Sequence, residues 1–282
     1  MPRTECLGTV LQTYIRACTI ALSDGGIVVL LSPSAGMVAH GIRLIEPLVF
    51  EDAARPGDSV WFGPDRMVVG RSLTVQLRAA ETWESEFRPG MPLSPYAADT
   101  AEALRELSDG GELLDCVLGR GGRSAICSIV GRTLPILADA TWRGDAQAAR
   151  AGLSALVGLG PGLTPSGDDF IVGLLAGLSI GTAAPSRHAF LRALCADVAT
   201  MAAHTTPVSR QHLHDASALA FSERLSDVCS AIAQGLPPAV LLGRAAAQLA
   251  VGATSGGDAM AGLVFALFEC GVLSAIGTVR GS

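Results

Sequence analysis

Lysine and asparagine are absent from the 282-residue chain, so every basic side chain except the five histidines is an arginine. Without lysine, the chain has neither a P-loop lysine nor a lysine that can form a Schiff base. Without asparagine, it has no asparagine side chain to stabilise an oxyanion. The Gly-x-Gly-x-x-Gly fingerprint of dinucleotide-binding domains is also missing. These absences exclude those chemistries from this chain.

Charge is scarce as well. Only 16% of the residues are charged, the net charge is −6, and no basic stripe is present, which argues against binding nucleic acid. The seven cysteines are scattered without a Cys-x-x-Cys pair, so we expect free thiols, no metal knuckle and a reducing, cytoplasmic location. The start of the chain lacks the pattern of a signal peptide. The longest uncharged runs fall short of the roughly 20 residues that a membrane helix needs, and we expect no membrane span.

Short apolar runs separated by turn signals fill the first third of the chain. Five to seven such runs predict strands of a small β barrel or sandwich, which we assign to residues 1–92. The runs lie at 9–22, 27–31, 41–45, 48–50, 59–62, 66–69 and 72–77. A breaker-rich linker at 88–95 then leads into a mainly α-helical domain, assigned to residues 93–282. The predicted fold class is therefore α+β.

Helical patterns dominate the second domain. Proline and Gly/Ser/Thr clusters mark most of their starts. The predicted helices lie at 95–107, 145–157, 167–180, 186–203, 207–222, 223–234, 238–250 and 257–270. A Gly/Arg loop at 119–123 can hold a phosphate or carboxylate through Arg123, or it is simply a surface turn.

Residues 158–169, Gly-Leu-Gly-Pro-Gly-Leu-Thr-Pro-Ser-Gly-Asp-Asp, form the densest polar signal and run directly into an apolar helix. Glycine lets a backbone approach a ligand closely. Thr164 or Ser166 can cap the helix, whose first N–H groups can bind an anion. Asp168 and Asp169 suit the positive end of the helix dipole. The alternative is a capped core helix after a tight turn.

A shorter echo of this motif occurs near the end of the chain. Residues 162–174 and 252–263 align as Gly-x-Thr-Ser-Gly-x-Asp-x-x-x-Gly-Leu once Pro165 is removed. Asp169 then matches Asp258, and Gly173 matches Gly262. Aspartate and glycine four residues apart share one helix face, so each helix can present a carboxylate above a close packing surface. We predict that the two helix starts form one polar site; two unrelated caps are the alternative.

A third polar cluster lies at 204–215, His-Thr-Thr-Pro-Val-Ser-Arg-Gln-His-Leu-His-Asp. Thr205 or Thr206 before proline predicts another helix start. Ser209 and Arg210 fall in its first turn, where arginine suits a carboxylate or phosphate. The two later histidines are two residues apart and do not share a helix face, which disfavours zinc.

These motifs resemble a bacterial protein family that includes the AllH subunit of oxamate carbamoyltransferase. The hallmark is Gly-Leu-Thr-Pro-Ser-Gly-Asp-Asp at 162–169, with weaker similarity at 252–258 and 205–209. The resemblance implies a role in allantoin (purine) nitrogen catabolism, where a complex of several subunits converts oxalurate and phosphate into oxamate and carbamoyl phosphate. It implies the other subunits of that complex as partners, and it transfers no catalytic residue.

We therefore predict a carbamoyltransferase subunit that binds a small anionic substrate, phosphate or carbamoyl phosphate at the paired helix starts. The alternatives are a non-catalytic assembly or regulatory subunit, or a stand-alone hydrolase or lyase acting on small carboxylates. We expect no cofactor, although a divalent cation such as Mg²⁺ can bridge aspartate and phosphate. Asp168, which has no counterpart in the echo, ranks ahead of Asp169 for chemistry. The candidate catalytic residues are Asp168, Asp169 and Asp258. The candidate substrate-binding residues are Gly160, Gly162, Thr164, Ser166, Gly167, Thr205, Thr206, Ser209, Arg210, Thr254, Ser255 and Gly256.

Overall fold

Two compact units, Met1–Glu84 and Ser85–Ser282, make up the chain. The computed structural model describes residues 5–181 and 184–273. The first unit carries all the described strands, and the second carries all the described helices except one short turn of helix. The prediction of a β-rich first part followed by a mainly helical second part is confirmed.

The first unit is a seven-stranded sheet that curls into a half-barrel. Its strand order is β4-β3-β2-β1-β5-β6-β7, and every neighbouring pair is antiparallel except β3 with β4. Alternate side chains such as Ile20, Phe62 and Met67 are buried in its core. The strands are β1 (Cys6–Thr13), β2 (Ala17–Leu22), β3 (Ile27–Leu31), β4 (Gly41–Arg43), β5 (Ser59–Phe62), β6 (Arg66–Val69) and β7 (Leu73–Gln76).

One apolar run of the first unit is not a strand. Residues 48–50 lead into the short helix α1 (Phe50–Ala53), and the Phe50 side chain is completely buried in the core of the half-barrel. The run is apolar because it anchors this turn rather than because it pairs with a neighbouring strand.

The second unit is helical. Prolines occupy the first position of α7, α8 and α10, where a missing N–H costs no hydrogen bond. The helices are α2 (Ala97–Glu102), α3 (Gly111–Val117), α4 (Ala125–Arg143), α5 (Ala146–Ser154), α6 (Ser166–Leu178), α7 (Pro185–Met201), α8 (Pro207–Ser217), α9 (Glu223–Gln234), α10 (Pro238–Leu249) and α11 (Ser255–Phe268).

The helices predicted from residue 167 onward are all present, and α8 differs most from its prediction. It ends at Ser217 rather than at 222, because Leu219 adopts a left-handed backbone conformation (φ 57°) that no helix continues through. Helices α6 and α11 lie in the centre of the unit and are buried along almost their whole length. None of the described helices combines the length and the apolar character needed to cross a membrane.

Candidate functional site

Helices α6 and α11 pack in direct backbone contact. A Cβ atom on Gly173 would lie 1.8 Å from the carbonyl oxygen of Ala259, and one on Gly262 would lie 1.9 Å from that of Phe170. In the aligned echo Gly173 matches Gly262 and Phe170 matches Ala259, so these two contacts are equivalent. The repeated sequence therefore forms a local two-fold arrangement, in which each helix fits the other in the same way.

The two helices run in the same direction. Further along α6, Gly177 lies against Leu263 and Ala266, which are also further along α11. Both helices therefore begin at the same end of the pair, and the positive ends of their dipoles lie side by side.

Hydroxyl groups join the two helix starts. The Thr164 and Ser255 hydroxyl oxygens are 2.8 Å apart. The hydroxyls of Ser255, from the other helix start, and of Thr164, from its own, act on the Asp169 carboxyl and lower its pKa. The hydroxyls of Ser166, from the other start, and of Thr254, from its own, act on the Asp258 carboxyl in the same way. The structure thus brings six predicted residues into one reciprocal polar cluster, which we call the Asp pair with its four hydroxyls.

The Asp pair is deeply buried. Asp169 is 6% exposed and Asp258 is 4% exposed. Burial raises the pKa of Asp169 well above its usual value, and the charges of Asp258 and Asp168 raise it further, while its hydroxyl partners lower it. Burial also raises the pKa of Asp258. The cluster therefore favours neutral carboxyl groups over two charged ones.

Each carboxyl of the pair keeps one unused oxygen. The Oδ2 atoms of Asp169 and Asp258 are buried and have no hydrogen-bond partner among the residues that the structure describes. A buried polar atom of this kind costs free energy unless a proton, a ligand or water satisfies it. Two such atoms at matched positions mark the cluster as the strongest candidate site.

Asp168 has a different environment. Its side chain is fully buried and accepts three hydrogen bonds, from the Gly158 N–H (2.8 Å), the Ser209 hydroxyl (2.7 Å) and the Thr205 hydroxyl. These bonds tie the glycine loop and α8 to the start of α6. At the matching position of the second helix, a Cβ on Gly257 would lie 1.9 Å from the Gly110 carbonyl oxygen, so no side chain fits there.

The third predicted segment also lies beside the first loop. The Thr206 hydroxyl accepts the Ser209 N–H as the N-cap of α8 and donates to the Leu163 carbonyl oxygen. Arg210, in the next position of α8, is exposed. Thr205, Thr206 and Ser209 are therefore used to dock α8 on the glycine loop, and Arg210 lies on the surface of that docked segment.

Backbone N–H groups contribute less to the site than the sequence predicts. The Gly167 N–H donates to the Leu159 carbonyl (2.8 Å), and the Asp168 N–H donates to the Pro165 carbonyl (2.9 Å). In the second copy, the Gly256 N–H donates to the Val251 carbonyl (2.9 Å). The preceding loops therefore cap their own helices through backbone carbonyls, and neither α6 nor α11 has a side-chain cap.

The glycines of the two motifs have distinct roles. Gly160 has a φ of 119° and lies so close to the Ser166 nitrogen that a Cβ would be 2.9 Å away. Gly162, with a φ of 95°, has open space around it. A Cβ on Gly167 or Gly256 would lie 2.1 Å from a carbonyl oxygen at the end of the preceding helical segment. Gly162 is thus the one whose surroundings leave room for a ligand.

Other polar signals in the sequence are explained by local structure. The Glu112 carboxylate accepts the N–H groups of Arg123 and Ser124, which lowers the pKa of Glu112 and fixes the Gly/Arg loop. The segment 177–181, Gly-Leu-Ser-Ile-Gly, has the Gly-x-Ser-x-Gly spacing of hydrolases. However, Ser179 is buried at the C-terminal end of α6 and donates to Ala176 (2.6 Å), so it is not on a strand-to-helix elbow. Within the described ranges, no three His, Cys, Asp or Glu residues are grouped to hold a metal ion.

Sequence reasoning missed two backbone groups of the site. The Gly158 N–H binds Asp168, and the Leu163 carbonyl binds Thr206. Both lie inside the glycine motif, but a backbone group carries no side-chain signal in a sequence.

A known protein family matches the part of the chain that contains these features. The family is described as oxamate carbamoyltransferase subunit AllH, and it matches residues 156–267. That segment contains both copies of the repeated motif and α8. The searches of curated proteins and of solved structures returned no match. The resemblance drawn from the Gly-Leu-Thr-Pro-Ser-Gly-Asp-Asp motif is therefore confirmed over residues 156–267, which match the family of the oxamate carbamoyltransferase subunit AllH.

Proposed function

We propose that this protein is a subunit of a carbamoyltransferase complex and that the Asp pair with its four hydroxyls binds a small anionic substrate. The family description supports the reaction class, and the matched segment contains the whole cluster. The reaction transfers a carbamoyl group between phosphate and oxamate. In the direction of oxalurate breakdown, a phosphate oxygen attacks the terminal carbamoyl carbon, the bond from this carbon to the oxamate nitrogen breaks, and that nitrogen gains the proton lost by phosphate.

The observation that carries the proposal is the meeting of the two helix starts, with the Thr164 and Ser255 hydroxyls 2.8 Å apart. Hydroxyl donors fixed in a mostly buried site stabilise developing charge more strongly than the same groups in water. Ser166 and Ser255 are partly exposed and Thr254 is exposed, so solvent reaches the cluster from this side. A small substrate can approach along the same route.

Arg210 supplies the positive charge in this proposal. It lies in the first turn of α8, which Thr206 docks on the glycine loop. An arginine can bind a carboxylate or phosphate through two parallel hydrogen bonds. The anionic end of the substrate then faces Arg210, while the carbamoyl end faces the Asp pair.

The contacts favour Asp169 and Asp258 over Asp168 for chemistry. Asp168 already accepts three hydrogen bonds from groups of the protein itself. Asp169 and Asp258 each retain an unused oxygen. We therefore assign Asp168 to holding the loop and α8 in place, which reverses the ranking drawn from the sequence.

The test is the carbamoyltransferase activity of the complex assembled with its other subunits. Ser166→Ala and Ser255→Ala each remove one hydroxyl from an aspartate of the opposite helix start. We expect each to lower kcat about tenfold or more, as loss of one fixed donor typically does, while the complex still assembles. Ser154→Ala is the matched control, because that exposed hydroxyl bonds only to Ala151 of its own helix. Full activity in both site variants would refute the proposal.

A second candidate function is that of a non-catalytic assembly subunit. The deep burial of the Asp pair favours it, since buried polar clusters also serve to fix a fold. Asp169→Ala and Asp258→Ala separate the two functions. Variants that fold and join the complex but lack activity support a substrate site, whereas variants with full activity support an assembly role.

The proposed site needs no cofactor. A divalent cation that bridges Asp169 and phosphate is the alternative, and it predicts that a chelator abolishes activity and that added Mg²⁺ restores it. Activity that survives chelation would exclude a freely exchanging cation from the site.

A further inference from the structure

The charges around the Asp pair restrict what it can bind. The positive ends of two helix dipoles point at the same place, which disfavours a cation there. Two carboxyl groups that are 6% and 4% exposed, with Asp168 close enough to raise the pKa of Asp169, disfavour an anion. The described structure shows no arginine or histidine acting on the pKa of either carboxyl. The remaining class of ligand is an uncharged polar group.

The unused atoms restrict the ligand further. Each carboxyl has one buried Oδ2 without a partner. Burial raises the pKa of both groups, and two such carboxyls that share one proton consist of one acid and one carboxylate. Such a pair presents one hydrogen-bond donor and one acceptor. A ligand that matches this pair carries one hydrogen-bond acceptor and one donor on the same carbon atom. A primary amide is such a group.

We propose that Asp169 and Asp258 together bind the terminal primary amide of a small substrate, with one carboxyl accepting from the amide N–H groups and the other donating to the amide oxygen. This inference deepens the proposed function and rests on it for the location of the substrate site. It assigns the carbamoyl or oxamate amide, rather than the carboxylate or phosphate, to the Asp pair. The hydroxyls of Ser166 and Ser255 position the carboxyls and line the entrance.

Matched ligands test the inference directly. Oxamate carries a primary amide beside a carboxylate, and N,N-dimethyloxamate carries the same carboxylate without any N–H donor. Calorimetric titration of the full chain, alone and in the assembled complex, should show oxamate binding at least about tenfold more tightly, because the dimethyl analogue leaves a buried carboxylate unpaired.

Variants locate the preference. Asp169→Ala and Asp258→Ala should reduce the ratio of the two dissociation constants to about one. Asp139→Ala, which removes an exposed carboxylate paired with Arg143 on α4, should leave the ratio unchanged. The comparison of the two ligands on the wild-type protein remains decisive if an alanine variant does not fold.

The outcomes separate the two proposals. Equal binding of the two ligands by the wild type overturns the amide assignment and leaves an anion site intact. A preference that survives both alanine substitutions overturns it as well, since the amide is then bound elsewhere. Failure of both ligands to bind the chain and the complex refutes the proposed substrate site itself.

Discussion

Replacing Gly173 or Gly262 by alanine should separate α6 from α11. A methyl group at these positions would meet backbone carbonyl oxygens at 1.8 Å and 1.9 Å. Ordinary contacts between carbon and another heavy atom need about 3.5 Å. The helices must therefore move apart by about 1.5 Å, because a backbone oxygen inside a helix cannot turn away as a flexible side chain can.

The free-energy cost follows from this displacement. Overpacking of a core typically costs about 1–3 kcal/mol, and a gap of 1 Å already forfeits up to about half of each dispersion contact. Alanine returns about 1 kcal/mol through its higher helix propensity. Because the obstacle is backbone, we take the upper end of the overpacking range and expect a net loss of about 2 kcal/mol, which lowers the Tm of a unit of this size by about 4–8 °C. The same movement stretches the Thr164–Ser255 hydroxyl contact, so activity should fall as well.

Two other helical glycines provide matched controls. Gly131 in α4 and Gly243 in α10 are exposed, and a Cβ at either position would meet nothing within 4 Å. Alanine there should raise stability by about 0.5–1 kcal/mol. Thermal unfolding followed by helical circular dichroism measures all four variants. A Gly173→Ala protein that is as stable as Gly243→Ala would refute the inferred backbone contact between α6 and α11.

Three further predictions follow from the site. Asp168→Ala should cost about 2–3 kcal/mol in urea unfolding, because it removes the acceptor of the buried Ser209 hydroxyl and of the more accessible Thr205 hydroxyl and Gly158 N–H. A loss below about 1 kcal/mol would contradict the anchoring role. Thr206→Ala should cost about 1 kcal/mol of stability and weaken the docking of α8 on the glycine loop. Amide hydrogen exchange in the first turn of α8 should become faster, and unchanged exchange would contradict the docking role of Thr206. Burial raises the folded-state pKa values of Asp169 and Asp258, so the folded protein still holds protons at pH values where the unfolded chain has released them. The stability is therefore fully present below the unfolded-state pKa. It falls as pH rises through the folded-state pKa values, by up to about 1.4 kcal/mol per pH unit for each group. Asp169→Asn should flatten that dependence, and an identical pH profile in wild type and variant would contradict a raised folded-state pKa for Asp169.

Helix positions from residue 167 onward are predictable because their signals are local. Proline at a first helical position, as at Pro207 and Pro238, and a left-handed glycine at the end, as at Gly235, act within one turn of the helix they bound. The spacing of Asp169 and Gly173 on one helix face also predicts a carboxylate above a close contact, and this is what the structure contains. Such features depend on residues three or four positions apart.

Long-range partners are not predictable in the same way. Asp168 bonds to hydroxyls 37 and 41 residues further along the chain, and nothing in its own segment specifies them. The hydrogen bond from the Gly167 N–H to the Leu159 carbonyl depends on how the glycine loop folds back. Glycine permits many backbone conformations, so the sequence does not determine that loop conformation. The order of strands in the half-barrel has the same cause, because β1 pairs with β5 across more than forty intervening residues.

The two copies of the repeated motif have the same residues at the glycine and aspartate positions where they contact each other. They have different residues where each copy contacts a different neighbouring segment. Gly173 and Gly262 form the same backbone contact from both sides, so each is constrained by the other. Asp169 and Asp258 likewise each have a serine of the opposite copy and a threonine of their own acting on their carboxyl groups. At the adjacent position, the first copy meets α8 and carries the anchoring Asp168, whereas the second copy meets Gly110 at the start of α3 and has room only for a glycine. The two copies thus differ at the position next to each aspartate of the pair, and the two unused carboxyl oxygens are polar atoms that neither copy satisfies for the other. A ligand that satisfies both oxygens must contact both copies at once, which is why we propose the pair, rather than either aspartate alone, as the binding unit.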